Sequence, residues 1–296
     1  MSRATAALLV LASVAGLAVR GAAATPPRLS VTWTSSYTAP GTPARYDKVG
    51  VVKVGPRSAK NVLVLEPGTS AGGAYFVPLA KWIVSKVKGW QVWPVERREN
   101  LLEDQSELNL FKEGKASAAQ LYDYYLGYRK DPSISPHFQM IPNPTVAFAK
   151  KWGMKVGVED LHTVITAAKK RGGRVVLGGH SLGGSVVTAY ATWDFKGRPG
   201  ADTLAGLVYI DGGSEPSAVS AAVATSELRT LDAPTATPWL AFGGIAAPYA
   251  GIFSASGAAA ALLDPDGPSL GQTSGLLPGP VAPPSRRPTP ASSASP

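Results

Sequence analysis

Arg174-Val175-Val176-Leu177-Gly178-Gly179-His180-Ser181-Leu182-Gly183-Gly184-Ser185 decides how the rest of the chain is read. The Val-Val-Leu run is short and wholly apolar, as expected of a strand covered on both faces. Glycines follow at once, and an apolar helical pattern continues through Val186, Val187 and Tyr190. Within this strand–turn–helix frame lies Gly179-His180-Ser181-Leu182-Gly183, a Gly-x-Ser-x-Gly sequence. A turn this tight holds its serine in a strained backbone conformation, and only residues without a Cβ fit on either side. The strain lifts the hydroxyl above the sheet, while the following helix points its N-terminus at developing negative charge.

The rest of the chain supplies a sheet for this turn. Val49 to Val54, Val62 to Leu65, Gln91 to Val95, Val175 to Leu177 and Ala205 to Ile210 read as buried strands. Helix-period segments separate them. One carries Tyr75, Leu79, Trp82, Ile83 and Lys86. Another runs from Val158 to Lys170, with Leu161, Val164, Ile165 and Ala168 on one face. Glu159 and Asp160 are expected in the first turn of that second helix, and Lys169, Lys170 and Arg171 at its end, which suits the helix dipole. Strand–helix alternation predicts an α/β architecture with a mainly parallel sheet and helices on both faces.

In these features the chain resembles the α/β-hydrolases of the lipase and esterase kind, over roughly Tyr46 to Gly213. The resemblance implies that Ser181 is the nucleophile of an ester hydrolase. It also implies one oxyanion donor from the backbone N–H of Leu182. A second would come from Thr69 or Ser70, in the glycine-rich segment Glu66-Pro67-Gly68-Thr69-Ser70 after the strand at Val62. That segment also reads as a plain glycine-rich connection. No metal or organic cofactor is implied. A small-molecule ester or acyl compound is the expected substrate, and an acyl-transferring or peptide-cleaving activity is left open.

The family's chain order is serine, then an acid, then a histidine. All three histidines here, His137, His162 and His180, precede Ser181. The resemblance puts His180 in packing beneath the elbow. His162 lies beside the apolar face of a helix, and His137 sits in a loop. Asp211, ending Gly206-Leu207-Val208-Tyr209-Ile210-Asp211, is the candidate acid. A serine with no imidazole to take its proton is a poor nucleophile near neutral pH. The chain is therefore expected to be weakly active or inactive as it stands. Two explanations are open: a C-terminus truncated before the last strands and the histidine, or a non-catalytic binding protein on the same fold.

Flanking segments read differently. Residues 1–24 have the form of a signal peptide, with Arg3, an apolar run from Ala6 to Val19 and Ala22-Ala23-Ala24, which predicts a secreted or periplasmic protein; a membrane anchor is the rival reading. The expected core covers 25–213, with an insertion at about 100–151. There, Tyr122, Tyr124, Tyr125 and Tyr128 fit either an aromatic wall or ordinary helix packing. A helical cap is expected over 214–263. A disordered tail is expected over 264–296, where nine prolines occur and no aromatic residue does.

Composition closes off other classes. The chain has 296 residues, 45% of them hydrophobic, enough for one sizeable core. With no cysteine, neither a disulfide framework nor a thiolate metal site is possible. Its formal charge of +9 is scattered or paired along the sequence and forms no long basic run, so nucleic-acid binding is not expected.

Overall fold

The computed structural model describes residues 29–213 and 219–238, together with the backbone of 241–242 and 245–246. The expected leader and tail, and most of the expected cap, lie outside the described residues.

Six strands form one sheet: β1 (Val31–Ser35), β2 (Lys48–Val52), β3 (Asn61–Glu66), β4 (Trp90–Glu96), β5 (Val175–His180) and β6 (Gly206–Ile210). Their spatial order is β1-β2-β4-β3-β5-β6. β2 runs antiparallel to both neighbours, and β4, β3, β5 and β6 run parallel to one another. The period of two along a strand divides the apolar residues between two faces. Val62 and Val64 of β3 join Trp93, Val95, Val175 and Leu177 in one cluster. Leu65 joins Val52, Val54 and Val92 in another, with Leu63 packed against it.

Helices cover both faces. On the first lie α4 (Met154–Lys169), through Val158, Leu161, Val164 and Ile165, and α5 (Leu182–Thr192), through Val186, Val187 and Tyr190. On the second lies α1 (Val77–Lys86), through Ala80, Leu79 and Ile83, entered by a 3-10 turn whose Phe76 is buried. α4 begins a turn earlier than the sequence pattern suggests, after Gly153. Glu159 and Asp160 therefore miss its first turn. Asp160 instead faces inward, where Arg98 binds both its carboxylate oxygens at 2.6 and 2.7 Å. Arg98 also reaches Asp47 and the carbonyl of Tyr37. A buried guanidinium is tolerated because its donors find acceptors on all sides.

Between β4 and α4 the chain forms two short helices, α2 (Ser106–Lys112) and α3 (Ala118–Tyr125), and 3-10 turns. α3 starts with a capping box, Ser117 and Gln120 each satisfying the other's backbone N–H. Ala118, Leu121, Tyr125, Leu126 and Phe138 bury one another in a cluster of their own. The tyrosines pack. Tyr125 is buried, with its hydroxyl on the carbonyl of Asp104; the hydroxyl of Tyr124 reaches the Asp104 carboxylate; Tyr128 stacks on His137.

Within the expected cap, residues 219–238 are described. They contain α6 (Ala221–Asp232), tied back to the 3-10 turn before α4 by Lys151 with Asp232 and by Lys150 with the carbonyl of Ala233. No helix of the described residues is long and apolar enough to cross a membrane.

Candidate active site

β5 ends at His180 and α5 begins at Leu182, so a single residue, Ser181, makes the whole turn. Its backbone lies at φ 52°, ψ −120°, a region that L-residues with side chains rarely occupy. The flanking glycines are a matter of contact. A Cβ on Gly179 would lie 2.3 Å from the carbonyl group of Gly183, and one on Gly183 would lie 2.2 Å from the carbonyl oxygen of Glu66. Strand, turn and helix thus close backbone on backbone. Ser181 is exposed and caps no N–H of α5 with its side chain.

The two neighbouring loops meet this turn. On the β3 side, a Cβ on Gly68 would lie 3.0 Å from Nδ1 of His180 and 3.1 Å from Cβ of Ser181. The Gly68-Thr69-Ser70 backbone therefore passes directly beside the serine, and Ser70 adopts a positive φ of 55°. On the β6 side, the N–H of Ser181 donates to the carbonyl of Ile210 at 3.3 Å, and a Cβ on Gly212 would lie 2.6 Å from Cα of Ser181. Thr69, Ser70, Ser181, Leu182 and Asp211, expected from the sequence to act together, are thus gathered at the C-terminal ends of three adjacent parallel strands. Ligand sites of open α/β sheets lie at this end.

Residues that the sequence did not single out hold the β3 loop. Nη2 of Arg97, just after β4, donates to the carbonyl of Gly68 at 2.7 Å and reaches that of Ala71 at 3.5 Å. Glu96 accepts from the N–H of Gly73 at the loop's far end. Arg97 and Glu96 therefore grip the loop from beneath, one by its carbonyls and the other by an N–H. Glu66, buried at the end of β3, has Nε of Arg97 3.9 Å away. Burial pushes its carboxyl up to about 7, with Arg97 opposing the shift. Glu103 is likewise raised to about 7 by burial, with a hydrogen bond from Gln105 opposing it. The one sequence signal of this layer is a glutamate ending an otherwise apolar strand.

Among the described residues no hydrogen bond joins a histidine to the serine hydroxyl, and Nδ1 of His180 is buried without a hydrogen-bond partner. His180 stacks on Tyr75 with ring centres 4.9 Å apart, and its Nε2 lies 3.4 Å from the tyrosine hydroxyl. His162 stacks on Phe195 at 4.1 Å and approaches the hydroxyl of Tyr190, and burial lowers its pKa. Nδ1 of His137 lies 2.9 Å from the carbonyl of Phe138. Asp211 is exposed, and no hydrogen bond links its carboxylate to any described residue.

The strand order, the antiparallel β2 and the strained serine between β5 and α5 define an α/β-hydrolase fold. No protein-family model and no curated protein matches the sequence. Among solved structures, the chain is similar to a proposed lipase from Sulfolobus solfataricus (TM-score 0.41, 16% identity, 64% of this chain and 46% of that one). A proposed aryl esterase from Burkholderia cenocepacia follows (TM-score 0.33, 16% identity, 62% and 47%). A soluble variant of monoglyceride lipase from Saccharomyces cerevisiae is similar to a comparable extent (TM-score 0.32, 11% identity, 62% and 44%). The chain spans less than half the length of each of these three proteins. Likeness at this identity and TM-score carries no argument about what the chain does.

Proposed function

We propose that the chain is built as an exported, serine-dependent carboxylic ester hydrolase. The observation that carries this reading is the backbone of Ser181, held at φ 52° between a core strand and the helix behind it. Strain of this kind is kept where surrounding structure over-determines it, and it is concentrated at reactive groups. In the proposed reaction Oγ of Ser181 attacks the acyl carbon, and the carbonyl oxygen gains negative charge. The N–H groups of Leu182, in the first turn of α5, and of Thr69, beside Gly68, receive that charge, with Ser70 as the alternative donor. The serine proton, passed through solvent water, leaves with the alcohol, and a further water hydrolyses the acyl-serine, releasing the acid and returning a proton to Oγ.

Both steps need a proton carrier, and no histidine follows Ser181 in these 296 residues. Asp211 stands beside the serine as candidate acid but has no imidazole to orient. Rate then comes from the oxyanion donors and from binding, which in related triads sustain only about 10³- to 10⁴-fold over water. The expected substrates are small esters, and the expected location is outside the cytoplasm.

A fluorophosphonate probe and p-nitrophenyl butyrate test this. Slow labelling and slow turnover, both abolished by Ser181→Ala, are the expected result. Equal labelling of the two proteins overturns the assignment. A second reading is a non-catalytic protein that holds an ester or acyl ligand at the elbow, where no hydrogen bond joins the Ser181 hydroxyl to a histidine among the described residues. That reading predicts ligand binding without labelling.

A further inference from the structure

The end of the sheet opposite Ser181 is occupied by the turns that enter the parallel strands. Between β2 and β3 these carry Lys53, Arg57 and Lys60; at the end of α1 and before β4 they carry Lys86 and Lys88. Lys169, Lys170, Arg171 and Arg174 close α4 and lead into β5. These three segments, 53–60, 86–89 and 169–174, contain no aspartate or glutamate. None of their cations forms an ion pair with a described carboxylate. The helix dipole accounts for the group at the end of α4. It does not account for Lys53, Arg57 and Lys60, which lie on no helix.

Two of the turns, with Ser30 and Thr32 at β1 and Gln91 and Trp93 on β4, border an open groove of about 690 Å3, within the size range of small-molecule sites. Lys53, Arg57, Lys170 and Arg171 all line it, and no carboxylate of the described residues does. Arg171 fixes its shape: one guanidinium nitrogen donates to the carbonyls of Arg57 and Ala59, tying the α4–β5 turn to the β2–β3 turn. Lys53 is held over the ring of Trp93 at 4.6 Å. Four like charges thus line one groove, two of them held by fixed contacts, and no carboxylate of the described residues pairs with any of them. Such an arrangement is costly when empty and is relieved by an anion.

We infer that this groove binds a multiply charged anion, one bearing two or more phosphate or sulfate groups. A single anion would leave most of the four cations unpaired, and the guanidinium fork of Arg57, with no partner among the described residues, matches the oxygens of such groups. Concavity favours a compact ligand over a flat surface or a long chain. The inference is independent of the chemistry proposed for Ser181.

Inorganic tripolyphosphate and orthophosphate serve as probes, with calorimetry and thermal unfolding as readouts on the full chain. The expected result is tripolyphosphate binding that is about tenfold or more tighter than that of orthophosphate and raises the unfolding temperature. Arg57→Gln with Lys170→Gln should weaken it about tenfold, two solvent-exposed charge contacts being lost. Both side chains are exposed, so the fold should persist, as circular dichroism would verify. Lys86→Gln with Lys88→Gln removes the same charge outside the groove and should leave binding within about twofold. Equal loss in both pairs would mean diffuse attraction and would overturn the site. So would the absence of tripolyphosphate binding, or a preference for an RNA oligonucleotide or phosphatidylglycerol vesicles that the groove substitutions do not alter.

Discussion

Ser181 and Asp211 leave adjacent parallel strands at the same level, each in a left-handed backbone conformation. His180 pairs with Ile210 in the β5–β6 register, so the serine and the aspartate are the first residues beyond it, at φ 52° and 44°. This juxtaposition puts a carboxylate next to the proposed nucleophile. No imidazole of the described residues lies between them for the carboxylate to orient. Asp211→Asn, which keeps the backbone preference for positive φ, is expected to slow fluorophosphonate labelling by less than about tenfold, against complete loss in Ser181→Ala. A larger drop, measured by labelling kinetics, would make Asp211 a direct proton acceptor.

The elbow glycines should be intolerant of any side chain. Gly183→Ala drives a Cβ into the carbonyl of Glu66, with no flexible atom to give way. The expected cost is about 3 kcal/mol or more. Gly206→Ala, at the start of β6, meets nothing within 4 Å and is the control; it should be neutral or stabilising by up to about 1 kcal/mol. Urea denaturation of both variants separates local crowding from a general sensitivity to alanine.

Much of the frame can be read in the sequence, because strands buried on both faces leave an unbroken run of β-branched residues. β5 and the elbow are the clearest case. β1 is masked for the opposite reason: Val31-Thr32-Trp33-Thr34-Ser35 is an edge strand whose two apolar residues are half-buried and alternate with exposed polar ones, leaving no continuous apolar run. The loop restraints were equally hidden. Arg97 and Glu96 look like surface charges in a charged run, and only the bend of the chain between β3 and α1 brings Gly68, Ala71 and Gly73 against them. Local pattern records burial; it does not record which distant carbonyl a guanidinium will meet.

Arg97 is the clearest test of that restraint. Arg97→Met keeps most of the stem and removes the donors to Gly68 and Ala71. The loop beside Ser181 should loosen, slowing probe labelling by about tenfold if preorganised N–H groups hold the developing charge. Circular dichroism should show an unchanged fold. Unaltered labelling would place the oxyanion donors elsewhere.

Glu66 and Glu103 make stability fall as pH rises. Their folded pKa, about 7, lies above the usual carboxylate value, so between about pH 4.5 and 7 the folded chain holds protons that the unfolded chain has released. Stability from this source is fully present below pH 4.5 and is lost on passing through pH 7. Glu66→Gln removes one such group. It should raise the unfolding temperature at pH 8 by roughly 3 °C relative to the parent, and by little or nothing at pH 4.5. An equal shift at both values would mean that the carboxyl is ionised throughout.

β6 is hydrogen-bonded on one side only among the described residues, and Leu207, Val208 and Tyr209 along it are exposed. A strand of this kind invites pairing with a second chain. Val208→Lys should therefore increase the monomer fraction in light scattering, and an unchanged fraction would show that this edge is not the adhesive one.

Where Gly179, Gly183 and Gly212 press against their neighbours, the scaffold around Ser181 is main chain touching main chain. The position of the hydroxyl is consequently indifferent to the identity of the residues that face outward, Tyr75 and Leu182 among them. Variation can change the side chains around the turn while the serine stays where it is.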